Sequence, residues 1–194
     1  MNHFLKKIQN KKELIFLVLI FSIFFVIAIL SYKDFGIGID EWDLRRLGFV
    51  NLKYIFELFQ LSNLDNLDKI LSTPKMSEYG DNTHGAIFVL LMSFIEYFLN
   101  IVDIQKNYFL RHIVNHFIFL LSVFYFYLIA KERFDHWTYG VIGALFLYLS
   151  PRIFAESFYN YKDILFMSLF IIALYYGIKF LKYPTTKNAI IFAF

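Results

Sequence analysis

Between residues 14 and 30 the chain carries no charge, no glycine and no proline. This run constrains the fold more than any other feature. A helix needs about 20 apolar residues to cross the ~30 Å hydrocarbon core, and backbone in that core must satisfy its own hydrogen bonds. The rest of the sequence agrees, with 59% hydrophobic and 22% aromatic residues, mean hydropathy +0.55, 26 Phe and only 3 Pro. Soluble domains hold roughly 45–50% apolar residues, so the surplus predicts several membrane spans. The net charge of +3 gives a nucleic-acid partner little support, and the basic residues gather near span ends, where membrane orientation explains them. With no cysteine, disulfides and thiolate metal sites are excluded, and the redox compartment is not readable.

Lys6, Lys7, Lys11 and Lys12 precede the run, and a flank of this kind normally stays cytoplasmic. A cleaved signal peptide is the competing reading. The run is longer than a usual signal core and no small-x-small site follows, so an uncleaved first span over 14–31 is expected. Further apolar segments lie at 86–102 (interrupted by Glu96), 108–130, 139–149 and 164–181. Residues 188–194 read as the opening of another segment, which makes the chain the N-terminal part of a larger transmembrane domain. The expected fold is all-α: a polytopic membrane helix bundle of four to five apolar segments. Residues 32–85 form its first outer loop, which carries an interfacial amphipathic helix, and 86–182 hold the remaining helical segments.

In that loop Leu44, Leu47, Val50, Tyr54 and Leu58 recur at helical spacing, while Arg45, Arg46, Lys53 and Glu57 supply polar surface. Beside a first span, such a helix lies along the membrane interface. Residues 61–71 continue it weakly. Ser72-Thr73-Pro74 then breaks it, and 78–85 reads as a polar turn carrying Asp81, Asn82, Thr83 and His84. Charge bias leaves two topologies open. With Lys131, Glu132, Arg133, Lys179, Lys182 and Lys187 all cytoplasmic, Asp40 and Asp163 share the outer side and one segment fails to cross, 86–102 being the candidate. If all five cross, Asp163 lies inside.

The chemistry-bearing residues form two clusters. Gly36-Ile37-Gly38-Ile39-Asp40-Glu41-Trp42-Asp43 sets a carboxylate pair just beyond the first span, costly to bury and close to any head group at the bilayer surface. A polar, aromatic loop from Ser150 through Pro151 and Arg152 ends at Lys162 and at Asp163, which opens the next helix. An acid there favours the helix dipole whatever its function. Arg152 and Lys162 serve either as interface anchors or as ligands of a lipid phosphate. His112 and His116 have zinc-like i, i+4 spacing, but without a third ligand or an intervening catalytic Glu they read as interfacial or helix-packing residues. Glu96 marks either a functional intramembrane acid or a segment that does not span.

In order and spacing these residues resemble the N-terminal half of a GT-C glycosyltransferase. The resemblance rests on Asp40-Glu41 after the first span, the interfacial helix, and Ser150-Pro151 followed by Asp163. It also covers the stretch from Phe109-Leu110-Arg111-His112-Ile113-Val114-Asn115-His116-Phe117 to Lys131-Glu132-Arg133-Phe134. The nearest groups are the protein O-mannosyltransferases, the aminoarabinose transferases of lipid A and bacterial relatives of the dolichyl-phosphate-mannose type. The resemblance implies transfer of a sugar, with inversion, from a polyprenyl-phosphate carrier to a lipid, glycan or protein acceptor at the outer face of a bacterial plasma membrane. It implies Asp40 as general base, Glu41 as its partner and Asp163 as the second acid, with Arg152, Lys162 and His84 as candidate substrate-binding residues. Relatives often carry an Arg five residues before the second acid, where this chain has Phe158. The cofactor stays open: Asp40, Glu41, Asp81, His84 and Asp163 offer oxygen and nitrogen ligands for a divalent metal, which some relatives use, but no geometry is fixed by their spacing. The competing classes are a small polytopic transporter or membrane-assembly subunit, and an inactive truncated fragment.

Overall fold

A computed structural model describes residues 11–60, 72–80 and 85–193. Among the described residues the chain is helical throughout its regular structure, without a strand. The helices are α1 (Lys11–Ser31), α2 (Glu41–Leu58), α3 (Ile87–Phe98), α4 (Ile104–Phe134), α5 (Trp137–Tyr148), α6 (Pro151–Tyr159), α7 (Asp163–Lys182) and α8 (Thr186–Ala193), with a 3-10 turn at Met76–Glu78. Among them α1, α4 and α7 are long and apolar enough to cross a membrane, and α5 with α6, bent by 65° at their junction, makes a fourth crossing if the pair is one broken span. This is a helical membrane bundle. The 12 residues of α3 reach only about 18 Å at 1.5 Å per residue, short of the ~30 Å core. Its end is fixed where Asn100 turns to φ 47°.

The chain divides into two compact units, one formed by residues up to Phe35 together with those from His112 onward, the other by Gly36–Arg111. In the first, α1 buries a narrow stripe of Leu17, Ile20, Phe24 and Ala28 and leaves its other faces apolar and exposed, the pattern of a lipid-facing helix. The stripe packs on Phe119, Val123 and Tyr127 of α4 and on Tyr148 of α5. Phe24 and Tyr148 stack at 3.7 Å, and the Tyr148 hydroxyl donates to the Phe24 carbonyl at 3.1 Å.

Polar contacts fix which helix ends share a face. Glu13, buried at the start of α1, accepts from the Tyr127 hydroxyl and from Lys131 Nζ, each at 2.5 Å, near the end of α4. Lys182, closing α7, donates to Glu132 at 3.0 Å. The start of α1 and the ends of α4 and α7 therefore lie at one end of this unit. At the other end Phe35 stacks on Phe158 of α6 at 4.4 Å, and His112 Nδ1 sits 3.4 Å from the Tyr32 carbonyl oxygen. Asp163, which opens α7, belongs to this second end. Cysteine labelling from one side of a sealed membrane checks the layout: Lys33→Cys and Asp163→Cys are expected to react together, and Lys182→Cys only from the opposite side.

Two expectations need correction. The stretch after Pro151 is helical through Tyr159, not a loop: Pro151 occupies the first turn, where its missing N–H costs nothing, and the helix buries Ser157 and Phe158 while exposing Arg152. In the second unit, Arg45 and Lys53 are buried, whereas Tyr54 and Leu58, expected on the apolar face, are 49% and 62% exposed. The face of α2 is set by its packing on α3, where Glu96 draws in Arg45, and by Lys53 donating to the Thr73 carbonyl at 2.6 Å. Gly48 permits that packing, because a Cβ there would collide with Ser93 Oγ and the Val89 carbonyl oxygen. Gly48→Ala is expected to destabilise this unit by about 1–3 kcal/mol, as overpacking does, read as a lowered unfolding midpoint in detergent. The weak helix at 61–71 and the turn residues Asp81, Asn82, Thr83 and His84 lie outside the described residues.

Candidate functional site

In the second unit Asp40 stands at the N-cap position of α2, exposed, and its side chain makes no capping hydrogen bond. Glu41 is the opposite, only 1% exposed. Its Oε2 accepts from the Gly38 N–H at 2.6 Å, and its own N–H donates to the Gly38 carbonyl at 3.1 Å, closing the turn that presents Asp40. Environment thus divides the pair: Glu41 builds the turn and Asp40 faces out. Ile39 and Trp42 beside it are 96% and 55% exposed. Such apolar and aromatic flanks suit a membrane–water interface.

In the first unit Asp163 is the first residue of α7, exposed, at the junction with α6. Its Oδ2 accepts from Asn160 Nδ2 at 3.0 Å, and its N–H donates to Asn160 Oδ1 at 3.0 Å. The same amide nitrogen donates to Glu156 Oε2 at 3.3 Å, and Glu156 Oε1 accepts from Arg152 Nε at 2.8 Å. Arg152, Glu156, Asn160 and Asp163 therefore form one continuous polar chain along the outer side of α6. Lys162 is exposed at the N-cap position of α7 and makes no capping bond. Glu156 and Asn160 were missed from sequence. Their signal was the i, i+4, i+8 register from Arg152, legible only once the segment is known to be helical.

Phe158, where the resemblance implies an Arg, is fully buried between Phe35 and the His116 ring, stacked on the latter at 4.1 Å. That position is core packing here. His116 Nδ1 lies 2.7 Å from Ser157 Oγ, whose own proton goes to the Phe154 carbonyl at 2.6 Å, so the imidazole donates. Asn115 Nδ2 donates to the Ser157 carbonyl at 2.8 Å. Asn115 and His116 thus bind α6 to α4, and His112 is buried against the end of α1. Glu96 is buried between Arg45 and Arg111. Among the described residues no three His, Asp or Glu side chains converge to hold a metal ion; Asp81 and His84 lie outside them.

Comparison with family models, with curated proteins and with solved structures finds no match to this chain.

Proposed function

We propose that this chain belongs to a membrane glycosyltransferase that moves a sugar from a polyprenyl-phosphate carrier to a lipid, glycan or protein acceptor at the outer face of a bacterial plasma membrane. The observation that carries the reading is a pair of exposed carboxylates, each at the opening of a helix beside the membrane. Asp163 lies at the Phe35 end of the first unit, and Asp40 follows Phe35 by five residues. Lys11, Lys12, Lys131, Arg133, Lys179 and Lys182 belong to the opposite ends of the spans, which the positive-inside rule makes cytoplasmic.

In this reading Asp40 takes the acceptor hydroxyl proton as the oxygen bonds to the anomeric carbon. The carbon–oxygen bond to the carrier breaks, and its electron pair leaves on the polyprenyl phosphate. Asp163 stabilises the positive charge developing at the sugar, and Arg152 and Lys162, both exposed cations, meet the charge growing on the phosphate. The test is transfer from polyprenyl-phosphate-linked hexoses and pentoses in membranes carrying the wild-type chain, Asp40→Asn or Asp163→Asn. Loss of transfer in both variants at normal protein levels is expected. Undiminished transfer in both would refute the assignment.

A further inference from the structure

Asn160 is where α6 stops, with φ −92° and ψ 72°, and its side chain is saturated by the two elements it separates. Nδ2 donates to Glu156 Oε2 and Asp163 Oδ2, while Oδ1 accepts from the Asp163 N–H. Its backbone is committed as well: the N–H donates to the Glu156 carbonyl at 2.8 Å and the carbonyl accepts from Ile164 N–H at 3.2 Å. We propose that Asn160 is the positioning residue of the second acid, an amide that gathers the Glu156 and Asp163 carboxylates and fixes the rotamer of Asp163 so that Oδ1 faces the reacting sugar. This rests on the transferase reading of Asp163.

The chemistry admits few substitutes for an amide. Two carboxylates close together repel, and a neutral group that donates to both relieves this without adding the charge of a cation. The same planar group must also accept from the Asp163 backbone, which Lys or Arg has no lone pair to do. Arg152, tied to the far oxygen of Glu156, offsets the remaining negative charge. Among the described residues Asp163 Oδ1 takes no hydrogen bond, so one oxygen is held and the other is open.

The experiment measures kcat, acceptor KM and the pH profile of transfer in membranes for Asn160→Ala and Asn160→Asp. Removing the amide frees the Asp163 rotamer, and kcat is expected to fall about 10–100-fold with KM within about twofold, the cost of misplacing a reacting group. Asn160→Asp keeps the shape and guards against a folding failure of the alanine variant. It adds a third carboxylate beside Asp163 and loses the donated amide bonds, so the low-pH limb should rise by about one unit and kcat should fall as in the alanine variant; a fall in kcat at unchanged KM in a folded protein is what a purely structural residue would not produce. If Asp163→Asn is inactive while both Asn160 variants keep wild-type kcat and an unmoved limb, the positioning role is overturned and the transferase reading stands. If Asp163→Asn itself retains full transfer, the reading beneath it fails.

Discussion

Asp40→Asn is expected to lower transfer about 10²–10⁴-fold, the range general-base catalysis supplies, while the protein accumulates at its normal level. The substitution keeps the shape of the side chain and removes only its capacity to take a proton. Structure gives little reason for a stability loss, because Asp40 is exposed and caps nothing on α2. Surface changes of this kind usually stay within about 0.5 kcal/mol. Its neighbour behaves differently. Glu41→Ala would leave the Gly38 N–H without its carboxylate partner and loosen the turn that aims Asp40, so its defect should combine lowered stability with lowered rate. Glu41→Gln retains an acceptor oxygen and should be milder on both counts. Initial rates normalised to protein in the membrane, paired with unfolding midpoints after solubilisation, separate these cases. A wild-type rate in Asp40→Asn would remove this residue from the chemistry.

The spans were the most legible part of the chain because lipid asks only for length and apolarity. Residues 14–30 became Lys11–Ser31, and 164–181 became Asp163–Lys182, to within a few residues. What composition could not reveal is pairing at long range. A helical wheel assigns Arg45 to water; its burial depends on Glu96, 51 residues away, the lone acid of an otherwise apolar helix, and sequence does not show that the two meet. Likewise His112 and His116 were readable as packing residues, but the Ser157 that fixes the His116 tautomer was not. The α6 segment hid for another reason: its polar and aromatic residues look like loop composition, and only the proline at its first turn hints at a helix start. Of the candidate site, the place of Asp163 at the opening of a helix was legible from the polar break before the apolar run. The asymmetry between Asp40 and Glu41 was not, since it depends on how the chain folds locally, with the Glu41 carboxylate turned back onto the Gly38 N–H.

Glu96→Ala should be the most damaging single change to the fold, costing the second unit about 3–5 kcal/mol, the range seen when one partner of a buried ion pair is removed. Glu96 is 1% exposed and holds two guanidinium groups. Arg45 reaches it through Nε at 3.1 Å and Nη2 at 2.5 Å, and Arg111 through Nη2 at 3.4 Å. Without the carboxylate, two buried guanidinium groups would lose the anion they share. Among the described residues Arg111 has no reserve, since its Nε and Nη1 are already buried without a partner and only Ser93 Oγ, at 3.3 Å, also accepts from it. Glu96→Gln keeps one acceptor oxygen but no charge, and should fall between wild type and alanine. Replacing the group as a whole, with Arg45→Met, Glu96→Leu and Arg111→Met together, removes the charges along with their demand and should recover much of the loss. Thermal unfolding in detergent measures the series, and limited proteolysis within Gly36–Arg111 reports which unit opens first. If Glu96→Ala stays within about 1 kcal/mol of wild type, the ion cluster does not hold α2 against α3.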